Sequence, residues 1–531
     1  MVAGSHWSDR VHVAALALCL IFLPWSTAFL SMAQMLLVAN WLVGGVLTRS
    51  TATRWQAAFA TGPSLAFLAF FGLHVVGLLW TEDLGWGLDL VRILLPVLSF
   101  GAVLAGSGRL GAQDFRTVLL LGAWSAVACS VFGALFSRAS AEDYRGLSLF
   151  ISHIRLALML CLAVAVFVWK GRRGPWWEQV ARAAAIGWVL HFLARLGSVQ
   201  GFALLALLGI ALLWHKAGRA APLQRTVLRL ALVLLPAAAL VPVVHVLRAG
   251  MRLPPADLPR TAPRSAGGET YMHDLANAQQ QNGHYVWTHL AWGEMRRTWP
   301  RRSQRSMDAP DDRGHVLWGT LVRYLASRGL PKDSVGIMAL SDADVRAIER
   351  GVVDHRADSR NMLAQRLDEL VFELQNYRDK GTAGGHSLAM RLEYWRTGWH
   401  IAQRHWLTGV GTGDTQQAFD AAYTAEGSSL PAGWRHRAHQ QYLTLWISFG
   451  LFGLLFSLWT WVWPAWRTGS WRHPVFLSWA LIFAVANLSD DTIETQAGAT
   501  FFALYYALLV FAAPRVTAAE GSPAAPAPAQ A

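Results

Sequence analysis

Twelve apolar runs, each about as long as a bilayer is thick, constrain the fold of this chain most strongly. A helix that crosses the hydrocarbon core needs about 20 mostly apolar residues, because lipid offers its backbone no hydrogen-bond partners. The runs lie at 11–28, 30–48, 62–80, 87–105, 116–136, 148–169, 179–195, 200–215, 226–247, 440–463, 474–489 and 498–513. Only 15% of the residues are charged, against about 25% in soluble domains. We therefore predict an all-α polytopic membrane protein with about 12 transmembrane helices.

The charged residues predict which side of the membrane each connection faces. With a cytoplasmic N-terminus, every inside connection is basic and the short outside connections carry acids. The basic residues are Arg49, Arg54, Arg109, Arg116, Lys170, Arg172, Arg173, Lys216, Arg219, Arg225, Arg229, Arg467, Arg472 and Arg515, and the acids are Glu82, Asp83, Glu142, Asp143, Asp490 and Asp491. Because cytoplasmic loops are enriched in Lys and Arg, we expect both termini to be cytoplasmic.

Four regions follow from this topology. Residues 1–247 contain spans 1–9, and residues 439–515 contain spans 10–12. Residues 248–438 are too long for a simple loop. Their amphipathic stretches, such as HVLWGTLVRYLASRGL, predict a mainly helical periplasmic domain between spans 9 and 10. Ala and Pro dominate residues 516–531, which we expect to form a disordered cytoplasmic tail.

Net charge and cysteine content narrow the possible functions. The net charge of +13 reflects cytoplasmic loops that face anionic lipid headgroups rather than nucleic-acid binding. Cys19, Cys129 and Cys161 lie inside apolar runs, far apart in sequence. This spacing favours small core residues over a disulfide framework or a metal site.

Polar side chains that are unusual for a membrane protein gather at the predicted outer face. They are Arg92, His153, Arg155, Arg195, Arg391, His439, Asp490, Asp491 and Glu494. A charge at membrane depth is costly and usually faces a polar cavity, so the group as a whole predicts a functional site. For any single member, the alternative is a side chain that reaches out to the lipid headgroups.

The types of these residues indicate phosphate chemistry. Arginine binds phosphate oxygens bidentately and stays charged, so arginines near the outer leaflet suggest a prenyl-diphosphate sugar donor. They would stabilise the negative charge on the departing diphosphate. His439 fits the base that the acceptor hydroxyl needs, because a helix N-terminus and nearby Arg435 and Arg437 disfavour its protonated form. Asp490 or Asp491 would orient the imidazole or hold an arginine.

Three other patterns suggest different sites, and we favour a structural interpretation for each. His400, His405, His436 and His439 have no zinc-binding spacing. The sequence DAD, 342–344, is similar to a metal-binding D-x-D motif, but its two acids directly follow Ser341, a residue typical of a helix N-cap. The sequence GVGTGD, 409–414, lacks the preceding strand and following lysine of a phosphate loop, so we interpret it as a tight turn.

Three segments resemble the O-antigen ligase family (WaaL-like, the Wzy_C superfamily). They are RLEYWRTGWHIAQRHWLTGVGTGD, RHRAHQQYLTLWISFGLFGLL and DDTIETQAGATFF. In that family an arginine-led helix precedes a glycine-rich turn, and a histidine then opens a span that often reads H-N-x-Y-L. Gln440 stands here where asparagine is usual. The outer segment RYLASRGLPKDSVGIMALSDADVRAIERG is similar to the large periplasmic loop of one branch of the family.

The resemblance implies a GT-C-like, metal-independent inverting glycosyltransferase in the bacterial inner membrane, with a periplasmic active site and no cofactor. It would move a glycan from undecaprenyl diphosphate to a hydroxyl of lipid A–core. By motif, His439 corresponds to the general base, Arg391 to a phosphate ligand, and Asp490 or Asp491 to the acid of the last outer loop. Of the two acids, Asp491 fits the family pattern better. The residues expected to bind the diphosphate or lipid headgroup are Arg195, Arg155, His153, Arg92, Arg437 and Tyr442.

One departure from the family pattern and two alternative functions stay open. The family usually has an arginine where span 8 begins, whereas this chain has Val199 there, and Arg195 lies about one helical turn earlier. The first alternative is an O-antigen polymerase of the same superfamily, which would extend a lipid-linked glycan. The second is a transporter or lipid-headgroup flippase, but charges at one face and the lack of an internal repeat argue against it.

Overall fold

The computed structural model describes residues 3–137, 144–171, 174–218, 220–250, 263–274, 276–277, 279–356, 367, 370–371, 373–375, 377, 387–428 and 430–514. Within them the chain is almost entirely helical. The α-helices are α1 Ala3–Phe22, α2 Thr27–Leu47, α3 Thr51–Phe59, α4 Gly62–Val76, α5 Leu84–Ile93, α6 Leu95–Gly106, α7 Ala112–Phe136, α8 His153–Lys170, α9 Trp176–Arg195, α10 Val199–Ala217, α11 Pro222–Gly250, α12 Trp292–Thr298, α13 Leu317–Ser327, α14 Ser334–Met338, α15 Asp342–Glu349, α16 Ser387–Arg404, α17 Thr415–Ala425, α18 Gln441–Thr468, α19 Pro474–Ala486 and α20 Gln496–Ala507. The strands β1 Gln280–Gln281 and β2 His284–Tyr285 pair antiparallel. The predicted tail and the predicted acids Glu142 and Asp143 lie outside the described residues.

Seven apolar segments of the described chain are long enough to cross a membrane. They are Thr27–Leu47, Gly62–Trp80, Leu84–Gly106, Ala112–Phe136, His153–Lys170, Pro222–Arg248 and Gln441–Thr468. Three shorter apolar helices, Val199–Trp214, Pro474–Ala486 and Gln496–Ala512, cover further predicted runs. The fold class predicted from sequence, an all-α polytopic membrane protein, is confirmed. By length and composition, seven of the twelve predicted runs qualify as spans.

The chain divides into two compact units. The first comprises Met1–Ala221, Tyr394–Glu426 and His436–Ala531, and the second comprises Pro222–Glu393 and Gly427–Arg435. Each unit has a hydrophobic core of its own. The regions predicted from sequence, 1–247, 248–438 and 439–515, remain predictions.

In the first unit, aromatic rings join α4, α18, α19 and α20. The ring of Phe67 stacks on Tyr506 with centroids 4.5 Å apart, and Phe483 lies 4.8 Å from Phe502 and 5.4 Å from Trp461. The Tyr506 hydroxyl also donates to the backbone oxygen of Trp461 (2.7 Å). Because lipid tails are as apolar as these rings, close packing and internal hydrogen bonds hold such helices together. The cluster therefore fixes α18, whose first residues lie at the candidate site.

Helix α18 is interrupted at Gly450, where φ is 67° and ψ is −177°. The backbone groups around the interruption bond to the loop that contains GVGTGD. These bonds run from Val410 N to Ile447 O (2.9 Å), from Gly411 N to Ser448 O (2.9 Å) and from Leu451 N to Trp406 O (2.8 Å). Irregular backbone at membrane depth is tolerated where the protein itself supplies the missing partners, and the loop has this role here.

The far end of the same loop bonds α4 and the start of α5. The Thr412 hydroxyl donates to the backbone oxygen of His74 (2.7 Å). The Asp414 carboxylate accepts from the backbone N–H groups of Glu82 and Asp83, both at 2.8 Å. The turn predicted at residues 409–414 therefore joins α4, α5 and α18.

Gly450→Ala is expected to lower the free energy of unfolding by about 3 kcal/mol or more. Only glycine readily adopts this backbone conformation, and an added Cβ would overlap the carbonyl group of Leu407. Thermal unfolding of the purified protein in detergent measures the effect. The matched control is Gly72→Ala in α4, where a Cβ meets nothing within 4 Å. Equal melting temperatures for the two variants would contradict the prediction.

The second unit packs α12 to α15 around Trp299, Leu321, Leu325 and Ile337. The predicted N-cap Ser341 is confirmed, because its side chain accepts from Asp344 N (3.2 Å) while the Asp344 carboxylate accepts from Ser341 N (2.8 Å). This reciprocal arrangement is a capping box. Asp344 also pairs with Arg328 (2.6 Å). The acids of DAD therefore stabilise a helix start.

Candidate active site

The connection between α19 and α20 carries three acids, Asp490, Asp491 and Glu494, that bind different partners. Asp491 contacts the start of α18, Asp490 contacts α8, and Glu494 contacts Arg437. The whole arrangement lies in the first unit. The connection therefore holds together chain segments that are distant in sequence.

Asp491 bonds the N-cap and the first turn of the helix that follows His439. Its Oδ1 accepts from Gln440 N (3.0 Å) and from the Thr444 hydroxyl (2.8 Å). The carboxyl is buried, with 5% of the residue exposed. A negative charge at a helix N-terminus is favourable, because the first backbone N–H groups have no partner within the helix.

The charge state of Asp491 depends on opposing effects. Burial raises the pKa of its carboxyl above the usual range, and nearby Asp490 acts in the same direction. Arg437, His439 and the hydrogen bond from Thr444 lower that pKa. Asp491 therefore lies within electrostatic reach of both His439 and Arg437.

A glutamine provides a second connection between α18 and the acid segment. The Gln441 side-chain oxygen accepts from Ile493 N (3.0 Å), and Gln441 N donates to the Asn487 backbone oxygen (3.0 Å). Gln441 is buried. Together with Asp491, it fixes the start of α18 against the connection between α19 and α20.

Arg437 is paired with an acid. It forms an ion pair with Glu494, and its guanidinium lies 5.4 Å from the centre of the Trp86 ring. The side chains of Arg437 and Glu494 are 18% and 11% exposed. Burial lowers the pKa of Arg437, and nearby Asp491 opposes that shift. The structure thus places a partly neutralised arginine two residues before His439.

Asp490 pairs with Arg155 at the start of α8. Arg155 Nη2 lies 3.3 Å from Asp490 Oδ2, and the two side chains are 12% and 11% exposed. Within the described part of the chain, Arg155 Nε has no hydrogen-bond partner, and the contact of Asp490 Oδ2 is the ion pair with Arg155. This pair therefore retains hydrogen-bonding capacity beside the Asp491 carboxyl.

His439 lies directly before the Gln440 cap of α18. Its φ is 46°, in the left-handed region that residues other than glycine rarely adopt. Its ring centroid lies 5.8 Å from the ring of Tyr394 and 6.0 Å from that of His436, and the residue is half-buried. Such backbone strain is found preferentially at functional sites.

The remaining predicted residues have other surroundings. Arg92 is 72% exposed on its side chain and pairs with Asp89 of its own helix (3.1 Å). Arg195 is exposed at the end of α9. The Tyr442 hydroxyl donates to the backbone oxygen of Ala484 (2.9 Å), so it stabilises packing against α19. His153 is the first residue of α8, two residues before Arg155.

Arg391 lies in the second unit, on the first turns of α16. From Tyr394 onward, the same helix belongs to the first unit. Its expected role as a phosphate ligand therefore remains a prediction from the motif.

Sequence reasoning missed three contacts that shape this site. It did not predict the ion pair between Glu494 and Arg437. It also did not predict that Arg437 lies against the Trp86 ring or that the Tyr394 ring lies near His439. The four-residue separation of Asp490 and Glu494 was a visible signal that the short connection holds several acids. Which arginine each acid binds depends on tertiary packing.

A comparison with known families identifies part of this region. Residues 353–458 match the family model Wzy_C, described as O-antigen ligase. This match supports assigning the chain to the O-antigen ligase family. The resemblance inferred from sequence is thereby confirmed over a segment that includes Arg391, His439 and α18 as far as residue 458. A comparison with curated proteins found no match.

The family implies O-antigen ligase-type or polymerase-type activity on lipid-linked glycans, carried out by a glycosyltransferase-like enzyme embedded in a membrane. Among the described residues, no group of three or more His, Cys, Asp or Glu side chains is placed to hold one metal ion. Metal independence stays a prediction.

Proposed function

We propose that this protein is an O-antigen ligase of the inner membrane. It transfers a glycan from undecaprenyl diphosphate to a hydroxyl of lipid A–core at the periplasmic face, by an inverting mechanism that needs no metal. The observation that carries the proposal is the fixed start of α18 in the family segment. There His439 precedes a helix whose cap is bonded to the buried Asp491.

In the proposed reaction, His439 accepts the proton of the acceptor hydroxyl. The acceptor oxygen attacks the anomeric carbon as the bond to the diphosphate oxygen breaks, so the configuration at that carbon inverts. The electron pair of the broken bond leaves with undecaprenyl diphosphate, whose charge arginines stabilise. Arg391 has this role by motif, and Arg155 and Arg195 are further candidates.

The two adjacent acids have separate proposed roles. Asp491 acts as a positioning residue, because it bonds the cap and the first turn of the helix that follows His439. Its negative charge also favours the imidazolium that forms when His439 takes the proton. Asp490 holds Arg155. The Arg437–Glu494 pair shields part of the positive charge beside His439, and Tyr442 supports the helix rather than the substrate.

Transfer by the purified protein tests the proposal. Undecaprenyl-diphosphate glycan and lipid A–core are mixed with protein in vesicles that contain excess EDTA. The products are separated by the length of the glycan and by the lipid to which it is attached. We expect transfer of glycan to lipid A–core.

Two results would reject parts of the proposal. Lengthening of the lipid-linked glycan with no product on lipid A–core would favour the polymerase alternative. Activity that disappears in EDTA and returns with a divalent cation would overturn the metal-free mechanism.

A further inference from the structure

A cavity lined by both charged and apolar residues lies where α7 and α9 begin and α8 ends. Its volume is about 640 Å³, within the range of small-molecule sites. Arg116, Lys170 and Arg182 line it together with one acid, Glu178. Three basic residues and one acid leave the cavity with an excess of positive charge.

This cavity is separate from the candidate active site. Helix α8 carries Arg155 near its first residue and Lys170 at its last. At 1.5 Å per residue, the 15 positions between them correspond to about 22 Å along the helix axis. Lys170 therefore lies toward the opposite membrane face, the one that the Lys/Arg distribution predicts to be cytoplasmic.

One wall of the cavity is held rigidly. Arg182 is 5% exposed, and it donates to Glu178 Oε2 (3.2 Å) and to the backbone oxygen of Gly171 (3.0 Å). Glu178, the one acid among the described lining residues, is thus bonded to Arg182. Arg116 and Lys170 are the other two basic residues of the described lining.

The other wall is apolar and runs along α7. Leu120 and Trp124 follow Arg116 at intervals of four residues, which places all three on one face of the helix. Trp177, which is 58% exposed, lies at the start of α9. Tryptophan is enriched at the membrane–water interface. The lining therefore passes from charged at the helix ends to apolar deeper in the bundle.

We propose that this cavity binds a phospholipid with an anionic headgroup. The phosphate lies between Arg116 and Lys170, and an acyl chain follows Leu120 and Trp124. Basic pockets between transmembrane helices select anionic lipids by charge, and the apolar wall distinguishes a lipid from a soluble phosphate compound. The inference does not depend on the transferase reaction.

Thermal unfolding of the purified full-length protein in a neutral detergent provides the test. Short-chain phosphatidylglycerol, phosphatidylcholine and inorganic phosphate are titrated separately, and the half-maximal concentration for stabilisation is recorded. We expect phosphatidylglycerol to stabilise at lower concentration than phosphatidylcholine. Replacing both cations, Arg116→Gln with Lys170→Gln, should raise the half-maximal concentration of phosphatidylglycerol by about 30-fold.

The matched control is Arg472→Gln, an exposed arginine on the same predicted face that lines a different cavity. This variant should respond like the wild type. If the double variant does not fold, Arg116→Lys with Lys170→Arg should keep the preference, and Glu178→Gln should strengthen it. Equal stabilisation by phosphatidylcholine would overturn the proposal. Reproduction of the effect by inorganic phosphate, or a wild-type response of the double variant Arg116→Gln with Lys170→Gln, would also overturn it.

Discussion

Replacing His439 with alanine or asparagine is expected to lower kcat for glycan transfer by about 10²–10⁴-fold, the usual contribution of a positioned general base. His439→Asn is the more specific test, because asparagine tolerates the left-handed backbone found at this position. It therefore removes the base while the strained backbone stays compatible with the residue. Initial rates of transfer to lipid A–core, measured with both substrates saturating, give the change in kcat.

The matched control is His436→Ala. The His436 ring lies 6.0 Å from that of His439, but His436 is exposed and does not stand next to the cap of α18. We expect this variant to keep most of its activity. The thermal stabilities of all three variants should lie close to that of the wild type, because both rings are at least partly exposed and the centroids of the neighbouring aromatic rings lie 5.8 Å or more away. Wild-type turnover in His439→Asn would show that another group takes the proton.

The helices were largely predictable from sequence, because a helix in lipid must satisfy its own backbone and therefore leaves a continuous apolar run. The interruption of α18 was not predictable in this way. The stretch ISFGLFGLLF, 447–456, is almost uninterrupted apolar sequence, whereas the break at Gly450 within it depends on a loop about 40 residues earlier in the chain. Helix α9 covers the predicted run 179–195 but carries Glu178 and Arg182 in its first two turns, so it is less apolar than the seven segments that qualify as spans by length and composition.

The candidate site was predictable in its residue types but not in its pairing. The sequence pointed to His439 and to two adjacent acids. It left open whether Asp490 or Asp491 bonds the helix that follows His439, because two adjacent aspartates cannot be told apart by residue type. Packing separates them, since Asp491 bonds the start of α18 and Asp490 bonds Arg155. Arg92 was predicted as a member of the site, but the structure pairs it with Asp89 at an exposed position. This position agrees with the alternative interpretation, a side chain that reaches out to the lipid headgroups.

Replacing Asp491 with alanine should reduce both stability and transfer. The change leaves Gln440 N–H and the Thr444 hydroxyl without their acceptor, and leaving buried donors unsatisfied costs about 1–3 kcal/mol. It also removes a negative charge within electrostatic reach of His439 and Arg437. We expect a lower melting temperature and a fall in kcat of about 10-fold or more.

Two further variants separate these effects. Asp491→Asn keeps an acceptor oxygen for the cap but has no charge, so we expect melting close to the wild type while kcat stays reduced. Thr444→Val removes one hydrogen bond to the carboxylate and keeps the charge, so it should lower the melting temperature with a smaller loss of kcat. If Asp491→Asn has both the melting temperature and the kcat of the wild type, then Asp491 serves only to hold the start of α18. If it recovers stability alone, the buried charge favours the protonated His439 that forms during transfer.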